Sequence, residues 1–175
     1  MAIRRLAALA AGALLLVSPG SISGASAQDA RAAIFDLDFI DTSVEGASGP
    51  RGDETARLAM MSDMLRRMLS ERGIAAVDLA PASARIAKAA PLSSCNRCDL
   101  ELARELGAAL SVTGFVHKTS NLILDIRVAI RDVQDGRIIR AGSVSIRGNT
   151  DESWSHGLGY LVRNRLLDPP LRLPP

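Results

Sequence analysis

The sequence predicts a single α/β domain of the α+β kind: strand, helix, strand, helix, helix, then a three-stranded antiparallel meander and a C-terminal helix. Three stretches carry this reading. Residues 32–40, AAIFDLDFI, alternate apolar and acidic positions as a half-buried strand does. Residues 98–118, CDLELARELGAALSVTGFVHK, set Leu100, Ala103, Leu106 and Leu110 at helical spacing, stop at Gly107 and resume as a strand through Val112, Gly114 and Val116. Residues 122–147 place alternating apolar runs on either side of Asp135-Gly136, a strong hairpin signal.

Taken in order, the chain opens on a secretory leader. Arg4 and Arg5, the apolar run Leu6 to Val17 and the small residues Ala25-Ser26-Ala27 are its basic, apolar and cleavage parts, so residues 1–27 are expected to be removed after Ala27. The apolar run, broken by Pro19 and Gly20, is short for a permanent membrane anchor, and no cysteine stands at the cleavage site to take a lipid. The domain is expected over 28–168. In the first strand Phe35, Leu37 and Phe39 would share one face, with Asp36 and Asp38 on the other. A Gly- and Pro-containing loop, 44–52, leads into a helix over 53–71 whose stripe is Leu58, Met61, Leu65, Met68 and Leu69, ended by Arg72-Gly73.

A second strand is expected at 74–79, then an alanine-rich helix from Pro81 to about Ala89, closed by Pro91. The helix and strand of 98–118 follow, with a tight connection at Thr119-Ser120-Asn121. The next strand has Leu124, Ile126, Val128 and Ile130 on one face and Asp125, Arg127 and Arg131 toward water; the return strand, 137–147, buries Val144 and Ile146. Asn149 with Glu152 resembles a capping box, and the last helix runs from Trp154 to Leu167 before Pro169 and Pro170 stop it. Residues 169–175 are expected to form a loose, proline-rich tail.

Composition excludes some functions. Of 21 Lys and Arg residues two lie in the leader, leaving 19 against 19 Asp and Glu, so the exported chain is formally neutral. With 3% aromatic residues it has neither the basic footprint nor the stacking platform of a nucleic-acid binder. Export to an oxidising compartment favours pairing of Cys95 with Cys98.

Four constellations bear on chemistry. Asp36-Leu37-Asp38 after an apolar strand start looks like the first motif of haloacid-dehalogenase-type phosphatases, with one carboxylate as nucleophile and the next as acid and base, assisted by magnesium. The small turn residue and Thr of that motif are replaced by Phe39-Ile40, no later acidic pair is evident, and strand alternation already accounts for both carboxylates. Cys95-Asn96-Arg97-Cys98 at a helix start resembles the thioredoxin redox motif, but a proline-containing loop, not a buried strand, precedes it. Cys95, Cys98, His117 and His156 have the ligand count of a zinc site without its paired spacing. Met60, Met61, Met64 and Met68 crowd one helix, as a copper(I) thioether site would, yet helical spacing explains them as core. Arg51-Gly52-Asp53 matches a cell-adhesion tripeptide of high chance frequency. No metal or cofactor is therefore assigned, and no catalytic residue.

The segments AIFDLDFID at 33–41, VDLAP at 77–81, LARELGAALSVTGFV at 102–116 and LILDIRVAIRDVQDGRIIRAG at 122–142, in this order, resemble the small α/β domain of the amino-terminal part of TolB. That domain is also seen in the curli secretion channel protein and in outer-membrane activators of cell-wall synthases. DLDFIDTS, the loop cysteine pair, VHKTSNLIL and IRGNTDESW are further similar to a family of exported proteobacterial proteins of unknown function. The resemblance implies a TolB-N-like fold and an envelope protein that binds other proteins, and it brings no catalytic residues.

The expectation is a periplasmic protein-binding or adaptor module with an unidentified envelope partner. Contact surfaces are expected at the loop Asp41 to Asp53, at the Cys95–Cys98 turn, and at Lys118 to Asn121 together with Asn149 to Trp154, the candidate contact residues being Lys118, Asn121, Asn149, Thr150, Asp151 and Trp154. Helix capping is the plainer role for residues 149–151, and core packing for Trp154. A thiol- or metal-linked accessory protein using Cys95 and Cys98 is the alternative, and a magnesium phosphatase built on Asp36 and Asp38 stands behind it.

Overall fold

The computed structural model describes residues 30–171. Six strands form one sheet: β1 Ala30–Ile34, β2 Asp38–Asp41, β3 Ile74–Ala76, β4 Leu110–Ser120, β5 Ile123–Asp132 and β6 Ile138–Arg147. The path is β3-β1-β4-β5-β6, with β2 also paired to β4. β1, β2 and β3 run parallel to their neighbours, whereas β4, β5 and β6 form the expected antiparallel meander. The helices are α1 Gly52–Ser70, α2 Ser83–Ala89, α3 Cys98–Glu105 and α4 Asp151–Leu161.

Two cores lie on opposite faces of this sheet. On one, Met61, Leu65 and Leu69 of α1 and Trp154, Leu158 and Leu161 of α4 pack against Ile34, Val116, Ile126 and Ile130. Complete burial of a Leu-sized side chain stabilises by about 1.5–3 kcal/mol, so this α1 stripe alone fixes the helix to the sheet. Met64 and Met68 pack at its margin, so three of the four methionines follow the helical stripe, and Met60 is exposed. On the other face Leu102 and Ala103 of α3, with Val77, Ala82 and Leu92, cover Ala33, Phe35 and Val133. That second layer stops short of β5 and β6, where Arg127, Ala141, Ser143 and Ser145 remain exposed.

The largest departure from the sequence reading is in residues 30–41, where the single expected strand is two. β1 pairs Ile34 with Val112 and β2 resumes by pairing Asp38 with Phe115, so the chain spends four steps where β4 spends three. This extra residue reverses face parity: Phe35 is buried on the α3 side, whereas Leu37 and Phe39 turn toward α1 and α4. Two features hold the irregularity. The Leu37 N–H, which finds no strand partner, donates to Ser62 Oγ of α1 at 3.0 Å. Gly114 opposite leaves the space that Leu37 fills, since a Cβ there would lie 2.7 Å from Leu37 Cδ2.

Other boundaries shift by local packing. β3 is three residues rather than six: Val77 N–H makes the last bond to β1, at Ala32 O, and the chain then turns away with the Val77 side chain covering the second core. A 3-10 turn, Ala80–Ala82, precedes α2. The Asp135-Gly136 hairpin connection is longer than two residues, because Val133 tucks into the second core and Gly136, at φ 76°, bonds back to Asp132 O. α4 begins one residue after Thr150, whose Oγ1 accepts the Ser153 N–H; Thr150, not Asn149, is the cap. The helix then widens into a π-helical turn, Val162–Leu166, instead of continuing as α-helix. Arg140 donates to the carbonyls of Asp168 and Pro169, and Leu171 packs on the core, so the tail is held through that point. The leader reading of residues 1–27 lies outside the described residues. Among the described residues no helix is long and apolar enough to cross a membrane.

Candidate functional site

The segments expected to offer contact surfaces converge at one end of the sheet, around a lysine that the sequence reading placed at the surface. Lys118 is fully buried, and its ammonium donates to Glu54 Oε1 at 2.8 Å, Asp41 Oδ2 at 3.1 Å and Glu45 Oε2 at 3.2 Å. Three donors meet three acceptors. The parity change between β1 and β2 is what delivers Asp41, which stands directly beside Lys118 in the ladder; uninterrupted alternation would have turned it away. Glu54 comes from the first turn of α1, where it also receives the Arg51 N–H at 3.0 Å in a capping box. Arg51-Gly52-Asp53 is therefore a helix start.

A second layer adjoins the first. Asn149 Nδ2 donates to Glu54 Oε1 at 2.7 Å and Asn121 Oδ1 at 3.3 Å, while its Oδ1 accepts from Trp154 Nε1 and Arg57 Nη1, both at 3.0 Å. Arg57 also pairs with Asp151 at 2.7 Å and Asp53 at 3.4 Å, and stacks 5.3 Å above the Trp154 ring. Trp154 is wholly buried and meets Phe39 at 5.9 Å between ring centroids. Asn121 donates to Glu45 at 2.9 Å. Of the six expected contact residues, Lys118 lies in the interior and Trp154 takes the core position that was its plainer expectation, while Asn121, Asn149, Thr150 and Asp151 frame the network's outer rim.

Burial acts against the Lys118 charge, but the hydrogen bonds it donates to Glu54, Asp41 and Glu45 outweigh it and raise the pKa well above the usual lysine range. Burial likewise acts against ionisation of Asp41 and Glu54. Hydrogen bonds from Ser43 and Lys118 in the first case, and from Lys118, the Arg51 N–H and Asn149 in the second, leave both pKa values lowered. A lysine held protonated is no nucleophile or base near neutrality, and carboxylates held ionised are no acids. What the arrangement does is fix position. It ties the 3-10 turn Val44–Ser48, the β4–β5 connection and the β6–α4 connection to one buried ammonium.

Sequence reading had Asp41 and Glu45 only within the loop Asp41 to Asp53 as a contact surface, and missed Glu54 and Arg57 altogether. The signal for those two was present, because Glu54 and Arg57 continue the Met61, Leu65, Leu69 stripe toward the helix start, and charges in register with an apolar stripe are buried or paired. On the outside of this locked end stand apolar side chains: Val44 is 99% exposed, Leu122 70% and Ile123 40%.

The other candidates lie apart. Asp36 is exposed and paired with Arg66, while Asp38 accepts the Ser93 N–H at 2.7 Å, so each carboxylate serves a different neighbour. Cys95 and Cys98 form a disulfide at the start of α3, with Arg97 between them in the left-handed region at φ 70°. His117 meets Thr42 Oγ1 at 2.8 Å on β4, and His156 lies on α4. Among the described residues no group of three or more His, Cys, Asp or Glu side chains is disposed to hold a metal ion.

Fold and site together define a small α/β domain whose interior ionic network organises loops. The chain belongs to the DUF3280 family, whose profile, described as "Protein of unknown function (DUF2380)", matches residues 30–166. No curated protein matches it significantly. Solved structures that resemble it include the LpoB C-terminal domain from Escherichia coli, 16% identical, covering 67% of this chain and 82% of that one, with a TM-score of 0.49. The lipoprotein GNA1162 from Neisseria meningitidis is 20% identical, covering 76% and 91%, TM-score 0.49. The PelC dodecamer from Paraburkholderia phytofirmans is 13% identical, covering 77% and 84%, TM-score 0.44. None of these likenesses reaches the level at which activity or partners follow. The expected family of unknown function and the expected single α/β domain are met.

Proposed function

We infer that this chain is an exported, non-enzymatic protein-binding module of the cell envelope, and that its contact surface is the end of the sheet bearing Val44, Leu122 and Ile123. The observation carrying this reading is the pairing of large exposed apolar side chains with loops immobilised beneath them. Val44 precedes Glu45 and Leu122 follows Asn121, and these two polar residues bond each other and the Lys118 cluster. Apolar groups left in water on mobile loops would cost ordering entropy on binding; here that cost is met in folding. Export is supported by the basic, apolar and small-residue pattern of residues 1–27 and by the disulfide.

The test is site-specific photo-crosslinking in living cells with the full chain, so that its own leader exports it. A crosslinker at position 122 or 44 is expected to capture an envelope protein, whereas one at exposed Arg163 is not. Val44→Asp should abolish the capture from position 122. Equal labelling from all three positions, or none from 44 and 122, would overturn the reading.

A further inference from the structure

The part of the sheet that α2 and α3 leave uncovered holds a shallow cavity of about 410 Å³. Its floor comes from three neighbouring strands, Thr113 and Phe115 of β4, Arg127 and Ala129 of β5 and Ser143 of β6, and Ser93 of the loop before α3 forms a wall. The register sets Arg127 directly between Phe115 and Ser143. Its guanidinium carbon lies 5.7 Å from the Phe115 ring centroid, so the long side chain is laid flat along the sheet. Among the described residues Arg127 forms no ion pair, and no carboxylate lines the cavity. Ser93 closes one side of the cavity without offering it a polar atom. Its N–H is taken by Asp38, and its Oγ is buried without a hydrogen-bond partner.

These features specify a ligand chemistry. A guanidinium held in place without a counter-charge offers paired N–H donors in the geometry of a carboxylate. With one cation and no cluster of converging backbone N–H groups, the site suits a monoanion better than a phosphate. Small side chains at Ala129 and Ser143 leave a flat floor beside an aromatic ring, and the volume falls in the lower part of the range of ligand clefts, roughly 300–1,000 Å³. We propose that this cavity binds a small carboxylate with a flat apolar body, its carboxylate received by Arg127 and its body lying on the floor between Phe115 and Ser143. That chemistry has two sources, a free organic acid or the C-terminal residue of a peptide.

The experiment is an amide chemical-shift titration of the purified, isotope-labelled exported chain with benzoate, with benzamide, and with a short peptide ending in phenylalanine with a free carboxylate. Benzoate is expected to give saturable shifts at Thr113, Arg127, Ala129 and Ser143. Loss of the charge-assisted bonds should weaken binding about tenfold or more, both in benzamide and in Arg127→Gln. Ala129→Leu, which fills the floor, should abolish the shifts in a chain of unchanged thermal midpoint. Tighter binding of the peptide than of benzoate assigns the site to a chain terminus, and the reverse order to a free acid. Saturation by neither, equal binding of benzamide, or shifts centred elsewhere would overturn the proposal. The cavity is separate from Val44 and Leu122, so this outcome and the crosslinking outcome are independent.

Discussion

Replacing Lys118 by methionine keeps most of the side chain's length and removes its charge. Glu54, 1% exposed, and Asp41, 8% exposed, are then left facing each other without the cation that holds both ionised. Glu45 is 55% exposed and can turn to water, so it adds little. Removing one partner of a buried ionic cluster costs about 3–5 kcal/mol, chiefly the penalty of the charges left behind. For a domain of this size that is a fall in thermal midpoint on the order of 10–20 °C. The pH dependence provides the sharper check. In the parent, the lowered pKa values of Asp41 and Glu54 contribute stability that is present above their unfolded values, about 3.9 and 4.3, and is lost as pH falls through the folded ones. The raised Lys118 value contributes stability present below about 10.4 and lost only as pH rises through the folded value. The network is therefore flat across neutrality. In Lys118→Met the two carboxylates gain protons on folding, so acidification from neutral pH should stabilise the variant while leaving the parent unchanged or weaker. Adding Glu54→Gln should restore stability rather than subtract from it. Circular-dichroism melts across this pH range test the scheme. A variant within about 1 kcal/mol of the parent at neutral pH, or one with a parallel pH profile, would refute it.

Gly157→Ala would press a Cβ into Ile146 Cγ2 and to 3.1 Å from Ile126 Cδ1, where α4 lies against the sheet; a loss of about 1–3 kcal/mol in urea unfolding is expected. Cys98→Ser opens a bridge between residues only three apart, for which loop entropy gives about 2 kcal/mol, and thiol labelling should then find one reactive cysteine at position 95. Trp154→Phe removes the N–H donated to Asn149 and shrinks the aromatic surface beneath Arg57, and should cost about 1–3 kcal/mol in a denaturant melt.

What the sequence determined was local. Periodicity placed α1, α3, α4 and the meander, because whether a residue of a regular helix or strand faces inward depends only on its spacing from its neighbours. Turn and stop residues such as Gly107 and Gly136, at φ 69° and 76°, worked for the same reason. Tertiary structure decided the rest. Nothing within AAIFDLDFI announces an extra residue between Ile34 and Asp38. That residue arises from pairing with β4, 77 to 78 positions away in sequence, and from Ser62 satisfying the freed N–H. Lys118, read alone at a strand end, belongs in water by its desolvation cost; it is inside because Asp41, Glu45 and Glu54 arrive from three other elements to share its charge. Burial of a charge depends on partners distant in sequence, and spacing along one segment does not encode them.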